Sequence, residues 1–171
     1  MKLKILIITL FVLGVSPIMA QVEKGDVMLT VNGSYTKTGD LGTNGLVFAK
    51  LGRFMTKNIE LGVKPQVQFG TGYSGVGLGL YGTYNFFTAN AKLLPYVGVE
   101  FSNLSQSYDE GGDFSSNDAG FYGGTKLFLT EALNVDFGLS VLTNVNNSED
   151  IELGTTFMFN IGVGFVFGKL K

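Results

Sequence analysis

Catalysis in this chain would have to run on carboxylates, Lys, Tyr or Ser, because its 171 residues include no His and no Cys. That removes the Ser-His-Asp triad, imidazole bases and thiolate nucleophiles. It also removes disulfides and any zinc site built on His or Cys. Six mid-segment charges remain as candidates: Lys50, Lys64 and Lys126, with Glu60, Glu100 and Asp136. Three of each sign could form an acid–base pair or an ion path. They fit a structural network better, because charges withdrawn from water must pair. A second group, Asp109, Glu110, Asp113 and Asp118, gathers four carboxylates among Gly and Ser. Oxygen-rich loops hold Ca²⁺, but this spacing matches no standard calcium loop and reads as solvated. Gly75-Val76-Gly77-Leu78-Gly79 has the glycine spacing of a dinucleotide fingerprint, yet it opens no helix. The sequence therefore assigns no catalytic, cofactor-binding or metal-binding residue, and the chain reads as a non-enzyme.

Residues 1–20 carry an address. Lys2 and Lys4 precede an apolar run, Ile5–Val15, which is followed by Ser16-Pro17-Ile18-Met19-Ala20. A short basic start, an apolar core and a small residue at the cut define a secretory signal peptide. The run is well short of the ~20 residues that span a bilayer as a helix. Cleavage is expected between Ala20 and Gln21, leaving 21–171 as one domain. Loss of Lys2 and Lys4 changes the formal charge from −2 to −4, with no basic cluster to meet nucleic acid.

The elements that must position the six charges read as strands. Alternation with period two runs through the mature chain and no helical period survives. Val27, Leu29, Val31 and Tyr35 alternate with Met28, Thr30, Asn32 and Ser34. Phe157, Phe159, Ile161, Val163, Phe165 and Phe167 alternate with Met158, Asn160, Gly162 and Gly164. The segment around Leu46–Met55 is apolar on both sides. A near-repeat, Arg53–Leu61 against Leu127–Val135, sets its phase and puts Lys50 and Phe54 opposite Val47, Ala49 and Leu51. The sum is eight strands of about 9–13 residues. Connections of about three residues (Thr56–Asn58, Thr130–Ala132) and about six after the fourth strand lie at one end. Loops at Thr38–Gly45, Gly70–Gly75, Ser102–Asp118 and Asn144–Asp150 are expected at the other.

Face composition decides which side of the sheet meets water. Charged residues make up only 15% of the chain, against about 25% in soluble domains. One face is apolar and aromatic. The other carries Gly, Ser, Thr, Asn and Gln with the six charges. Such a chain is inside out, with its apolar face toward lipid. Tyr35, Phe69, Phe101, Phe121 and Phe157 sort to the long-loop rim, and Tyr84, Phe86, Phe165 and Phe167 to the other, as two interface belts would. The expected fold is an all-β, eight-stranded antiparallel transmembrane up-and-down barrel, with short periplasmic turns and longer external loops.

Three stretches carry a resemblance: Phe54-Met55-Thr56-Lys57-Asn58-Ile59-Glu60-Leu61-Gly62, Leu94-Pro95-Tyr96-Val97-Gly98, and Asn160-Ile161-Gly162-Val163-Gly164-Phe165-Val166-Phe167. The mature chain resembles the small outer-membrane β-barrel family of the OmpX, OmpW and OmpA-barrel kind. The last stretch is similar to that family's terminal insertion signal, with Asn160, Gly162, Phe165 and Phe167 at its key positions. It departs in continuing through Gly168–Lys171. The resemblance implies an outer-membrane location, with membrane lipid and the barrel-insertion machinery as partners and no cofactor. Function is then that of a closed or nearly closed barrel whose loops meet the surroundings, with an extracellular ligand expected at 102–118. The other reading is a narrow porin or OmpW-like channel for small, apolar solutes.

Overall fold

Alternating β-branched and aromatic residues pack well on a pleated surface, and period two sends them all to one side. A computed structural model describes residues 22–37, 43–88, 92–109, 111–145 and 155–168, and no helix occurs among them. The strands are β1 (Val27–Lys37), β2 (Thr43–Phe54), β3 (Ile59–Gly70), β4 (Tyr73–Asn85), β5 (Leu93–Tyr108), β6 (Asp113–Phe128), β7 (Leu133–Asn144) and β8 (Thr155–Phe167). Each pairs antiparallel with the next, and β1 pairs with β8, so the sheet closes as an up-and-down barrel. Closure leaves no sheet edge along the paired wall. The β2–β3 ladder skips Ala49 and Lys50, opposite Pro65 and Lys64, where proline has no N–H to give.

The strands reach further than the polar sequence suggests. Gly70–Gly75, expected as an external loop, is almost all strand; only Thr71 and Gly72 connect β3 to β4, with Gly72 at φ 78°. A left-handed glycine makes so tight a reversal feasible. Ser102–Asp118 is likewise no loop. β5 and β6 stay paired from Ser102↔Asp118 to Ser107↔Asp113, so only 109–112 lie between the two strands. Ser, Asn and Gln hide this strand from a hydrophobicity reading. Cross-strand polar pairs hold it instead: Asn103 Nδ2 donates to Asn117 Oδ1 at 3.0 Å and to Ser115 Oγ at 3.2 Å. The expected loop at Thr38–Gly45 shrinks, since β2 begins at Thr43 and 38–42 lie outside the described residues. Asn144 ends β7, and 146–150 also lie outside them.

The barrel's outer face is apolar. Val31, Leu51, Val63, Leu78, Leu80, Val99, Leu139, Ile161 and Val163 are all exposed. So are the aromatics assigned to both belts, from Phe157 and Phe121 to Phe165 and Tyr84. Phe157 and Phe165 stand eight residues apart on β8. At ~3.4 Å per residue and a tilt of ~40° the separation is about 20 Å, close to the height of an outer-membrane apolar band. Outward residues of the β5–β6 hairpin above this band, such as Asn103, Ser105 and Ser107, are polar. Arg at Leu78 or Val163 is expected to cost roughly 2–4 kcal/mol of folding free energy in lipid vesicles, and Arg at Ser105 under about 1 kcal/mol. Urea titration of vesicle-folded variants reads the difference; equal costs would contradict this assignment of faces.

Candidate functional site

Inward-pointing residues divide the lumen into three layers. At the short-turn end Val22, Met28, Phe54, Leu94 and Phe128 pack into a buried apolar cluster with Val166 against it. The chain entering β1 is tied across this end. Gly25 N donates to Phe54 O at 2.8 Å, Phe54 N to Asp26 O at 2.9 Å, and Glu23 N to the Asp26 carboxylate at 2.8 Å. Phase placed Phe54 inside, but an apolar seal beneath a polar lumen was not foreseen.

Above the seal lie the six charges. Lys64 Nζ meets Glu100 Oε1 at 2.6 Å, and Lys50 Nζ stands 3.9 Å from Glu100 Oε2. That second contact is Coulombic only, since Glu100 Oε2 takes part in no hydrogen bond. Lys126 Nζ meets Glu60 Oε2 at 3.1 Å. Asp136 pairs in register with Lys126 on β6, yet its carboxylate is held by Tyr96, whose hydroxyl donates at 2.7 Å. The layer thus brings Lys50, Lys64 and Glu100 into one group and Lys126 and Glu60 into another, with Asp136 beside a tyrosine.

Tyrosines complete this layer. The Tyr81 hydroxyl donates to Glu60 Oε1 at 2.6 Å. Lys50 Nζ sits 3.4 Å from the centroid of the Tyr122 ring, a cation–π geometry that replaces lost hydration. Tyr122 lies between the other two rings, with centroids 6.5 Å from Tyr81 and 6.0 Å from Tyr96. The charges were visible in the sequence, whereas the tyrosine part of the network was not named from it. The signal was there: all three share the inward phase with Gly79, Gly98 and Gly124. Gly98 and Gly124, with Gly52 of β2, make space for the rings. A Cβ at Gly98 would strike the Tyr122 ring, one at Gly124 the Tyr96 hydroxyl, and one at Gly52 the Tyr81 hydroxyl. The void left among Lys50, Glu60, Tyr96, Tyr122, Lys126 and Asp136 is about 10 Å³. That is no more than one water occupies.

The third layer is a cup of about 520 Å³ at the long-loop end, lined by residues that include Leu46, Gln66, Ser102, Leu104, Ser116 and Asp118. Of the terminal stretch, Asn160 and Gly162 are buried in the lumen, with Asn160 Nδ2 donating to Ser140 Oγ at 3.1 Å, while Phe165 and Phe167 face outward. Ala20 and Gln21 lie outside the described residues. Among the described residues no group of three acidic side chains has metal-binding geometry. Asp109, Asp113 and Asp118 of the β5–β6 hairpin do not assemble into one, and Glu110 lies outside the described residues.

No family model and no curated protein matches the chain. Solved structures do. The N-terminal β-barrel domain of Pseudomonas aeruginosa OprF superposes with a TM-score of 0.69 at 21% identity, covering 85% of this chain and all of that one. Neisserial surface protein A gives 0.64 at 16% identity over 86% of this chain and 100% of its own. The outer membrane protein OprG from Pseudomonas aeruginosa gives 0.55 at 10%, over 87% and 99%. These likenesses establish the fold, an eight-stranded barrel of the outer-membrane type.

Glu100 is the acidic centre of the larger charged group, so Glu100→Ala leaves Lys50 and Lys64 buried without a counter-charge. The expected loss is about 3–5 kcal/mol of stability, measured by denaturant unfolding in detergent micelles. Lys64→Met added to Glu100→Leu is expected to recover part of it. A loss below about 1 kcal/mol for Glu100→Ala would contradict the pairing.

Proposed function

We propose that the chain is an exported, integral outer-membrane barrel with no through-pore, non-enzymatic, which presents its β5–β6 hairpin and an outward-facing cup at the cell surface. The observation that carries this reading is the inversion of the two faces. Among the described residues thirty-two large hydrophobic residues are exposed, whereas all six lumen charges point inward. A soluble protein would leave that outer surface in water, far beyond the few hundred Å² of apolar patch a monomer tolerates. In a bilayer the same surface meets acyl chains, and the closed ladder satisfies the backbone.

Residues 1–20 act in this reading as the export signal, cut between Ala20 and Gln21. Asn160, Gly162, Phe165 and Phe167 present the terminal segment to the barrel-insertion machinery. Membrane lipid is then the partner of the whole wall, and the hairpin at 102–118 is the surface available to an extracellular ligand. Two obstructions in series support a non-conducting lumen: the apolar seal at Met28, Phe54, Leu94 and Phe128, and the charge layer with its ~10 Å³ void. A channel for small solutes would need both to move.

Two measurements test the proposal. In unheated detergent gels the folded chain is expected to migrate differently from the boiled chain, as a closed barrel resists unfolding. In planar bilayers it is expected to give no reproducible conductance step. Heat-independent migration would overturn the barrel reading, and a reproducible channel would overturn the sealed lumen.

A further inference from the structure

At the long-loop end β3–β6 stay paired up to their turns, through Gly70↔Tyr73, Tyr73↔Tyr108 and Ser107↔Asp113. The β1–β8 ladder stops earlier, at Gly33↔Ile161. The side of the cup built by β3–β6 is therefore the better braced one. Alternation sets its inward positions: Gln66 and Gln68 on β3, Ser102, Leu104 and Gln106 on β5, and Asp118 on β6. On β4 the same phase carries only Gly75, Gly77 and Gly79 at this height. A Cβ at Gly77 would come within 2.8 Å of Gln66 Nε2, one at Gly79 within 3.0 Å of Ser102 Cβ, and one at Gly75 within 3.0 Å of Gln106 Cγ. The glycine run that opens no helix is thus a bare strip of backbone on which three polar side chains lie.

These polar groups differ in what holds them. Gln106 Nε2 donates to Gln68 Oε1 at 2.8 Å, and Gln68 Nε2 to Asn44 Oδ1 at 3.2 Å, so the upper amides satisfy one another. Gln66 and Ser102, deeper in the cup, are 6% and 1% exposed. Both line the cup, yet neither the Gln66 amide nor the Ser102 hydroxyl makes a hydrogen bond to a described residue. Asp118 has a single bond, accepted from Ser116 Oγ at 3.4 Å, and belongs to no ion pair among the described residues. A buried amide without a partner destabilises a fold. Unmet groups gathered on one wall of a cup point to a ligand that meets them.

The chemistry of that ligand follows from the groups. Asp118 is the one charged side chain of the lining among the described residues, so an anion finds no counter-charge there. Amides and hydroxyls both donate and accept, as do the hydroxyls of a polyol. A carboxylate takes charge-assisted hydrogen bonds from two neighbouring hydroxyls at once. A lone ammonium would engage Asp118 and leave Gln66 and Ser102 unmet. Leu104, buried in the same wall, offers an apolar face to ring C–H groups. We propose that the β3–β6 side of the cup binds a neutral pyranose sugar, with adjacent hydroxyls on Asp118, others on Gln66 and Ser102, and its C–H face against Leu104. The cup's volume of about 520 Å³ lies within the range of small-molecule sites. The inference rests on the reading of the chain as a surface barrel and names the class of ligand its cup takes.

The test uses the full mature chain in lipid nanodiscs, with backbone amide shifts as the readout. The probes are the methyl α-pyranosides of glucose, galactose and mannose, and N-acetylglucosamine. At least one is expected to give saturable shifts at Gln66, Ser102 and Asp118, weakened at least five-fold by Asp118→Asn. Gln66→Leu is expected to weaken binding by a similar factor while raising the midpoint of denaturant unfolding, because it removes an unmet amide. A glutamine with a purely structural role would not give that combination, and a lowered midpoint would overturn its assignment. No saturable shift from any of the sugars would overturn the proposal, as would binding that neither substitution moves. Tighter binding of tetramethylammonium or of trialanine at the same amides would overturn the ligand class. Loss of the folded band in unheated gels of the unsubstituted chain would instead contradict the barrel reading itself.

Discussion

The structure depends on a neutral layer of buried charge at the waist of the barrel. Eight strands close around a lumen barely wider than its side chains, and water cannot solvate whatever points inward. Three lysines and three acids can occupy that space only if each cation finds a carboxylate or a ring, and each carboxylate a donor. Lys64 takes Glu100, Lys126 takes Glu60, Lys50 rests on the face of Tyr122, and Asp136 accepts from Tyr96. These contacts cross the lumen between strands far apart in sequence, so they fix which strands face each other across the barrel. The wall supplies hydrogen bonds around the ring, and the waist supplies specificity across it.

Everything above and below the waist follows from what the layer excludes. Below it, an apolar seal completes the closure at the short-turn end, where the entering chain folds back over Phe54. Above it, no charge network fills the lumen among the described residues, and the remaining space becomes a cup at the long-loop end. Some glycines of the inward face have a related origin. Tyr81, Tyr96 and Tyr122 are too large to share a narrow lumen with side chains opposite them, so Gly52, Gly98 and Gly124, which they lean on, carry no Cβ. Gly162 and Gly164 instead lie against the buried amides of Asn32 and Asn134.

The strand number, the inward phase of Lys50, Glu60, Lys64, Glu100, Lys126 and Asp136, and the outward phase of the aromatics were legible because period two is a one-dimensional signal. What that signal could not show was pairing across the lumen, which depends on register and shear. Asp136 illustrates the limit: its sign is read from the sequence, but a tyrosine forty residues away in the chain is its partner. Strand ends differ from the sequence reading where polarity reads as a loop, as at Ser102–Asp118, whose outward Ser and Asn pair with one another above the apolar band. The early end of the β1–β8 ladder left no mark in the sequence, since both strands keep their alternation past the point where they part.

The most direct test of an inside-out, sealed barrel is a spin-label accessibility scan along β8, in a chain whose lack of Cys allows each site to be labelled alone. Single Cys substitutions from Thr155 to Phe167 would be labelled in lipid vesicles and compared for collisions with oxygen and with a water-soluble nickel chelate. An inside-out barrel requires a period of two. Oxygen collisions should peak at Phe157, Phe159, Ile161, Val163 and Phe165, while Asn160, Gly162 and Gly164 should be shielded from both reagents. A reversed phase would contradict the assignment of faces, and strong nickel access at Gly162 or Gly164 would show a water-filled lumen where the account places a sealed one.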